Sequence, residues 1–327
     1  MRLRGSIYVA LVIAALTVAA SAASAQVYPS RPITIVVPFP AGGSIDTVAR
    51  VVAEGMKASL GQPVIVENVT GAGGSIGAGR VAHAAPDGYT LSIGNLSTHV
   101  INGATYALDY DVVADFEPVS LLTTEPMMVA ARKTLPARDL KELVAWLKAN
   151  PDKASAAVGG IGDITQIADT LFQQETGTRF QLVPYRGTVL ALNDVMSGRV
   201  DLVLMQASSL LPQVSARSIK AYAVMAPKRL GAASDIPTID EAGLPGFYVP
   251  YWFGMWAPKD TPKPVISRLN AAVEDALANE AVGERLTELG REVVSRDRQT
   301  PAALAAQQRV EIEKWWPIIK AAGIKAQ

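Results

Sequence analysis

The 327-residue chain has no cysteine and only two histidines, His83 and His99. Without cysteine there are no disulfides, no thiolate metal sites and no cysteine nucleophile, a composition that suits an exported protein avoiding oxidation. Two isolated histidines, with neither an H-E-x-x-H pair nor a cysteine partner, do not make a metal site, so no metal and no cofactor are expected. Charge of one sign is also lacking: 30 basic residues face 30 acidic ones. That balance leaves no basic footprint for nucleic acid. Long apolar runs are confined to the start. Met1-Arg2-Leu3-Arg4 is a short basic region, Ile7 to Ala20 is almost wholly apolar, and Ala23-Ser24-Ala25 fits an A-x-A cleavage site. A membrane anchor needs about 20 apolar residues, and this run is shorter and ends in small residues. It reads as a secretory signal peptide over residues 1–25, cleaved near Ala25. Loss of Arg2 and Arg4 leaves a mature chain of formal charge about −2. No later segment is apolar enough to span a membrane, so a soluble product is expected.

What is present is hydrophobic content, 49% of the chain. Roughly 300 residues of that composition bury a large core, more naturally as two domains than one. From Arg31 onward strand and helix patterns alternate. Ile33–Pro38 reads as a buried strand, Ile45–Leu60 as a helix closed by Gly61, and Val64–Glu67 as a second strand. Ser75–Ala84 reads as a helix stopped by Pro86-Asp87-Gly88, and Thr90–Gly94 as a third strand. This alternation predicts an α/β fold with mainly parallel sheets covered on both faces.

A weak internal repeat follows. Gly42-Gly43-Ser44, "IDTVARVV", Gly61 and "VIVEN" have a counterpart in Gly159-Gly160-Ile161-Gly162, "DITQIADTLF", Gly177 and "FQLVPY". Each half is strand, glycine loop, helix, glycine stop, strand. Ligands of open parallel sheets sit beyond the carboxyl ends of the strands, so two facing lobes of this kind would form a cleft. The strand-like "WFGMWAPKDTPKPV" and two amphipathic helices after it return to the first lobe. Residues 26–125 with 251–327 are assigned to lobe 1 and 126–250 to lobe 2, joined by two crossovers acting as a hinge.

Enzymatic motifs fail on inspection. "GGSIG" (Gly73–Gly77) matches the G-x-S-x-G nucleophile elbow, making an exported serine hydrolase using Ser75 a rival reading. That chemistry needs a histidine base after the acid and late in the chain, and none follows His99. The alternative is that Ser75 caps a helix while the glycines let the chain turn. "GAGRVA" (Gly77–Ala82) fits a loose dinucleotide fingerprint, but it begins well beyond the preceding strand and no acid lies about 20 residues on. The first glycine loop has no Lys-Ser/Thr and is not a P-loop. Binding without turnover remains, so no catalytic residue is assigned.

The glycine loops suit binding. In "PFPAGGSID", Ala41 to Ser44 carry little or no side chain, so a ligand can approach the main chain. Exposed N–H groups at a helix N-terminus would hold a carboxylate without lysine or arginine. Asp46, in the first helical turn, favours the dipole and can brace the loop; contact with ligand is its other possible role.

Several segments in order carry a resemblance: "YPSRPITIVVPFPAGGSIDTVAR", "GQPVIVENVTGAGGSIGAGRVAHAAPDGYTL", "YDVVADFEPVSLL", "VPYRGTVLALNDVMSGRVDL" and "IPTIDEAGLPGF". Over essentially the whole mature chain the sequence resembles the extracytoplasmic solute receptors of the tripartite tricarboxylate transporters, the Bug family. The resemblance implies a type II periplasmic binding-protein fold with two lobes, two crossover strands and a closing cleft. It implies a monomeric periplasmic protein that captures a small organic carboxylate for a membrane pair of one large and one small subunit. The matching loop Phe39, Pro40, Ala41, Gly42, Gly43, Ser44 to Asp46 would bind one carboxylate through main-chain groups and ordered waters. The loop Gly94–His99, with Ser97 and Thr98, would line the same lobe, and the loop Gly159, Gly160, Ile161, Gly162 and Asp163 to Gln166 would face them.

The chain departs from the family pattern in the distal half. Asp163 stands where a serine or threonine is common, Gln166 where a histidine is common, and Gln206 where relatives often carry an acid. Asp163 would repel a second ligand carboxylate unless Arg186, in "PYRGT", shields it; otherwise it only caps a helix. A ligand-presenting sensor for a membrane kinase would need the same cleft and is the second rival.

Overall fold

A computed structural model describes residues 28–325. The predicted signal peptide lies outside these described residues. The chain opens with strand β1 (Ile33–Val37), followed by helix α1 (Ser44–Leu60). The inward face of α1 is Ile45, Val48, Ala49, Val52 and Met56, spaced at three and four residues so that one stripe meets the sheet. Gly61 ends the helix at φ +66°, its N–H returned to the Lys57 carbonyl at 3.0 Å. Next come β2 (Val64–Asn68), α2 (Ser75–Ala82) and β3 (Thr90–Asn95), then a π-helical turn over Ser97–Ile101 running into the short α3 (Asn102–Thr105).

The long strand β4 (Phe116–Arg132) leads to α4 (Leu140–Ala149), β5 (Ser155–Val158), α5 (Ile164–Thr176) and β6 (Gln181–Pro184). After them run α6 (Thr188–Met196), β7 (Leu202–Gln206), α7 (Ala207–Ser215) and β8 (Ile219–Val224). The return crossing is β9 (Pro250–Pro258), and α8 (Lys263–Ala278), α9 (Glu280–Glu288), β10 (Glu292–Val293) and α10 (Pro301–Ala321) complete the chain.

The strand order is β2-β1-β3-β9-β4-β7-β5-β6, with β8 and β10 also paired to β4. The outer wings are parallel, β1 with β2 and β3, and β5 with β6 and β7. Antiparallel pairing is confined to contacts of β4 and β9. β4 belongs to both halves: Phe116–Pro126 pair with β9, whereas Met127–Arg132 pair with β7 and β8. The exchange of partners falls at Pro126, which has no N–H to donate to a ladder. Two register shifts, near Pro118 and Leu121, add twist before the exchange.

Two apolar clusters fill the molecule. The larger runs through both halves, from Ile35, Leu91, Trp252 and Trp256 to Leu143, Ile167 and Phe172, and the smaller, with Met128, Ala157, Val203 and Met205, lies on the opposite face of the second half's sheet. The C-terminal helix α10 seals the first half, where Gln308 Nε2 donates to the carbonyls of His99 and Val112, both at 2.7 Å.

Candidate functional site

Both glycine loops end in the same local geometry. Gly42 (φ +81°) and Gly162 (φ +74°) turn the chain through the left-handed region, where a side chain is strained. The next residue is the helix N-cap in each case: Gly43 at φ −78°, ψ 173° and Asp163 at φ −93°, ψ 175°. Four residues after each turning glycine, a side chain reaches back to its N–H. Asp46 Oδ2 accepts from Gly42 at 2.9 Å, and Gln166 Oε1 accepts from Gly162 at 2.6 Å. The repeat therefore has a structural basis, with Gly43 and Asp163 as equivalents.

The two caps differ in what they leave free. At α1 the cap has no side chain, and the N–H groups of Gly43 and Ser44 have no acceptor among the described residues. Those amides and the helix dipole favour an anion. At α5 the Asp163 carboxylate fills the cap. Its Oδ1 accepts from the Thr165 N–H at 3.0 Å, the Thr165 hydroxyl at 2.6 Å and the Gln166 N–H at 3.1 Å. Thr165 Oγ1 also accepts from Gly159 N–H at 2.7 Å, so the start of α5 is closed by side chains, while the N–H groups of Gly160, Ile161 and Asp163 have no acceptor among the described residues.

Asp46 braces the first loop. It is buried, its carboxylate takes two hydrogen bonds from Arg50 at 2.9 and 3.0 Å, and Asn68 Nδ2 donates to it at 2.9 Å. Burial acts to raise its pKa, but the donors from Arg50, Gly42 and Asn68 outweigh it and hold the carboxyl below its ordinary range. Asn68 also donates to the Phe39 carbonyl at 2.9 Å.

Between the loops lies a cavity of about 210 Å³. Of the residues expected from sequence, Phe39, Pro40, Ala41, Gly43, Ser44, Gly159, Asp163, Arg186 and Gln206 line it. Others stand apart. Gly42 borders a neighbouring hollow, and Gly160 and Ile161 border another that shares Phe39, Pro40, Gly159, Arg186 and Gly187 with the cavity. Ser97 and Thr98 are buried behind the wall: Ser97 Oγ accepts from Ile164 N–H at 3.4 Å, and Thr98 Oγ1 lies 2.9 Å from His99 Nδ1. Gly162 offers its carbonyl to the Thr105 hydroxyl at 3.1 Å, while Tyr106 donates to the Ile161 carbonyl at 2.6 Å. These two bonds clasp the second loop to the first half.

Other residues complete the wall. Asn95, within the Gly94–His99 loop expected to line this lobe, comes from the end of β3; not anticipated from sequence are Gly187 to Leu190 from the start of α6 and Tyr251 and Phe253 from β9. Gly187, at φ +121° in "PYRGT", was the available signal for a third helix start at the cleft. Alternation along "PYWFG" was the signal for two rings two residues apart on one face.

Electrostatics set the two ends of the cavity apart. Burial pushes Asp163 up to about 6, against the hydrogen bonds from Thr165 and Gln166. Burial also holds the Tyr251 hydroxyl well above its ordinary value, opposed by Ser97. Below the first loop, buried Arg291 donates to the Ser44 carbonyl at 2.6 Å and to the hydroxyls of Ser44 and Ser208 at 2.8 and 3.1 Å. Glu125 accepts from the Ser44 hydroxyl at 2.6 Å and the Ser208 N–H at 2.9 Å. This cluster joins the start of α1 to the start of α7 across β4.

Ser75 does not cap its helix. Gly74, at φ +90°, is the N-cap, and Ser75 is the first helical residue. His83 is eight residues on, at the other end of α2, about 12 Å away at 1.5 Å per residue. That separation leaves Ser75 without a base. His99 is fully buried, stacked on Trp256 at 3.7 Å, and burial pushes its pKa down to about 3, so it packs as a neutral ring. Among the described residues no group of three His, Asp or Glu side chains is placed to hold a metal ion.

With loops and cavity in view, the family can be assigned. A model described as "Tripartite tricarboxylate transporter family receptor" matches residues 48–324. The chain belongs to that family. Its members are periplasmic solute-binding receptors of the Bug and TctC type. A UPF0065 protein from the TAR-I ttuE-ttuC' intergenic region of Agrobacterium vitis is 41% identical over 296 residues, covering 90% of this chain and 86% of that one. The solved structure of the periplasmic binding protein BugD is 40% identical with a TM-score of 0.87, covering 92% and 100% of the two chains. MatC from Rhodopseudomonas palustris with bound malate is 40% identical with a TM-score of 0.85, covering 89% and 100%. These structures share the two-lobed α/β fold expected from the sequence. Among the described residues of this family member, no helix is long and apolar enough to cross a membrane.

Proposed function

We propose that this receptor captures a small organic carboxylate between its lobes, in the periplasm, and delivers it to the large and small membrane subunits of a tripartite tricarboxylate transporter. One observation carries the reading: the amides of Gly43 and Ser44, unpaired among the described residues, sit at a helix N-terminus in the wall of the cavity between the loops. A carboxylate accepts from such amides without a lysine or arginine. Phe39, Pro40 and Ala41 shape the approach, Asp46 and Gly42 hold the loop, and Phe253 and Tyr251 form an aromatic floor. Bound malate in MatC, a relative of the same fold, agrees with this ligand class. Residues 26–125 with 251–327 form one lobe in this reading and residues 126–250 the other, with the hinge at β4 and β9. The protein acts as a monomer that changes nothing in its ligand.

A thermal-shift screen of carboxylic acids on wild type and Gly43→Val tests the proposal. The Gly43 backbone already suits a β-branched residue, and an added Cβ meets nothing closer than 3.5 Å. The fold should survive while the branched side chain covers the amides. Ligand at 100 times its dissociation constant stabilises wild type by about 2.7 kcal/mol. That shift should vanish in Gly43→Val. An equal shift in the variant would remove the main-chain site.

A further inference from the structure

We propose that the ligand carries a protonated amine opposite its carboxylate, and that Asp163 is the counter-charge that receives it. The inference rests on the carboxylate reading above and specifies the other end of the same ligand. In the cavity wall the amides at the starts of α1 and α6 and the Arg186 guanidinium are donors, while Asp163 and Gln206 of the second half present acceptors. Asp163 spends only Oδ1 on capping α5; its Oδ2 has no donor among the described residues. Oδ2 stands 3.0 Å from where a Gly159 Cβ would be, and Asp163 and Gly159 both line the cavity. The Gln206 side chain, also in the wall and 3% exposed, has an Oε1 atom with no donor among the described residues.

Capping alone does not require this charge. Serine, threonine or asparagine satisfies the same amides with a neutral oxygen. Nor is the charge neutralised by the protein, because no described lysine or arginine pairs with Asp163. Arg186 reaches the wall from an exposed position and makes no hydrogen bond to it. A carboxylate that is 5% exposed and lacks a cation selects a ligand that supplies one. A second ligand carboxylate would instead place like charges together beside a buried group. The cavity volume of about 210 Å³ suits a small ligand.

Isothermal titration decides the matter with chains of three to five carbons that differ only at the far end. Wild type is titrated near neutral pH with β-alanine, 4-aminobutyrate and 5-aminovalerate. Hydroxy acids, unsubstituted acids and dicarboxylates of the same lengths are run beside them. The best amino acid should bind at least about tenfold tighter than the best dicarboxylate or unsubstituted acid. Asp163→Asn keeps a capping oxygen and nearly the same shape. It should cost the amino acid about tenfold or more while leaving or improving dicarboxylate binding. Equal or tighter binding of a dicarboxylate, unsubstituted acid or hydroxy acid by wild type would overturn the amine. So would an Asp163→Asn variant that keeps its preference, or a series in which no amino acid binds at millimolar concentration. Gly43→Val separates this failure from that of the underlying site. If a dicarboxylate binds wild type and is lost in Gly43→Val, the carboxylate receptor stands and only the amine falls.

Discussion

Arg291 Nη2 lies 2.6 Å from the Ser44 carbonyl oxygen, tying a residue late in the chain to the first residue of the helix that faces the ligand cavity. The same guanidinium stands 3.6 Å from Glu125, and both side chains are almost wholly buried. Since Glu125 also holds the Ser208 amide, the pair links both halves of the molecule immediately behind the cavity. Removing one member leaves the other as an uncompensated buried charge, which costs about 3–5 kcal/mol. Arg291→Met should therefore lower the urea midpoint substantially. Adding Glu125→Gln to that variant should recover part of the loss. A single variant as stable as wild type would show that the cluster contributes little.

Tyr106 donates to the Ile161 carbonyl from the opposite half at 2.6 Å, where no side chain of the second loop is needed. Tyr106→Phe removes that hydroxyl and leaves the ring. One interlobe hydrogen bond is worth about 0.5–1.5 kcal/mol, so ligand dissociation should quicken by roughly two- to tenfold. Stopped-flow displacement reads this directly, and an unchanged off-rate would mean that the clasp is indifferent to opening.

Asp163 gives stability a pH dependence. Its folded pKa, about 6, lies above its ordinary 3.8, so the folded state binds the proton more tightly. The penalty of the buried charge is fully present above about pH 6 and is relieved as pH falls toward 4. The shift corresponds to on the order of 3 kcal/mol. Tyr251, Tyr106 and Asp169 all feel this charge, and Arg186 shares the cavity wall. Asp163→Asn should raise the ligand-free Tm relative to wild type more at about pH 7.5 than at about pH 4.5. A difference independent of pH would place the charge in contact with solvent.

Ser75→Ala should leave ligand affinity unchanged and should abolish no ester or amide hydrolysis. Ser75 makes no side-chain hydrogen bond among the described residues and begins its helix a full helix length from His83. Colorimetric ester assays on wild type and variant check this, and turnover dependent on Ser75 would restore the hydrolase.

Much of the fold was legible along the chain because its rules are local. Apolar spacing at three and four residues marks α1, Gly61 and Gly177 stop helices by entering the left-handed region, and the two glycine loops announce two helix starts. Sequence also marked Asp163 as the unusual charge of the second loop. It did not show that one carboxylate oxygen caps α5 while the other is left without a donor beside Gly159, because that division depends on how the loop folds back on itself. The inward turn of Ser97 and Thr98 came from a π-helical turn that short-range propensity does not announce. Tyr251 and Phe253 became cavity wall only once β9 crossed back beside β4. Ser44 and Arg291, 247 residues apart, met for the same reason. Backbone preference and capping act over a few residues and are written in each segment. Partners across the cleft are chosen by how the lobes pack, and only the folded chain decides that.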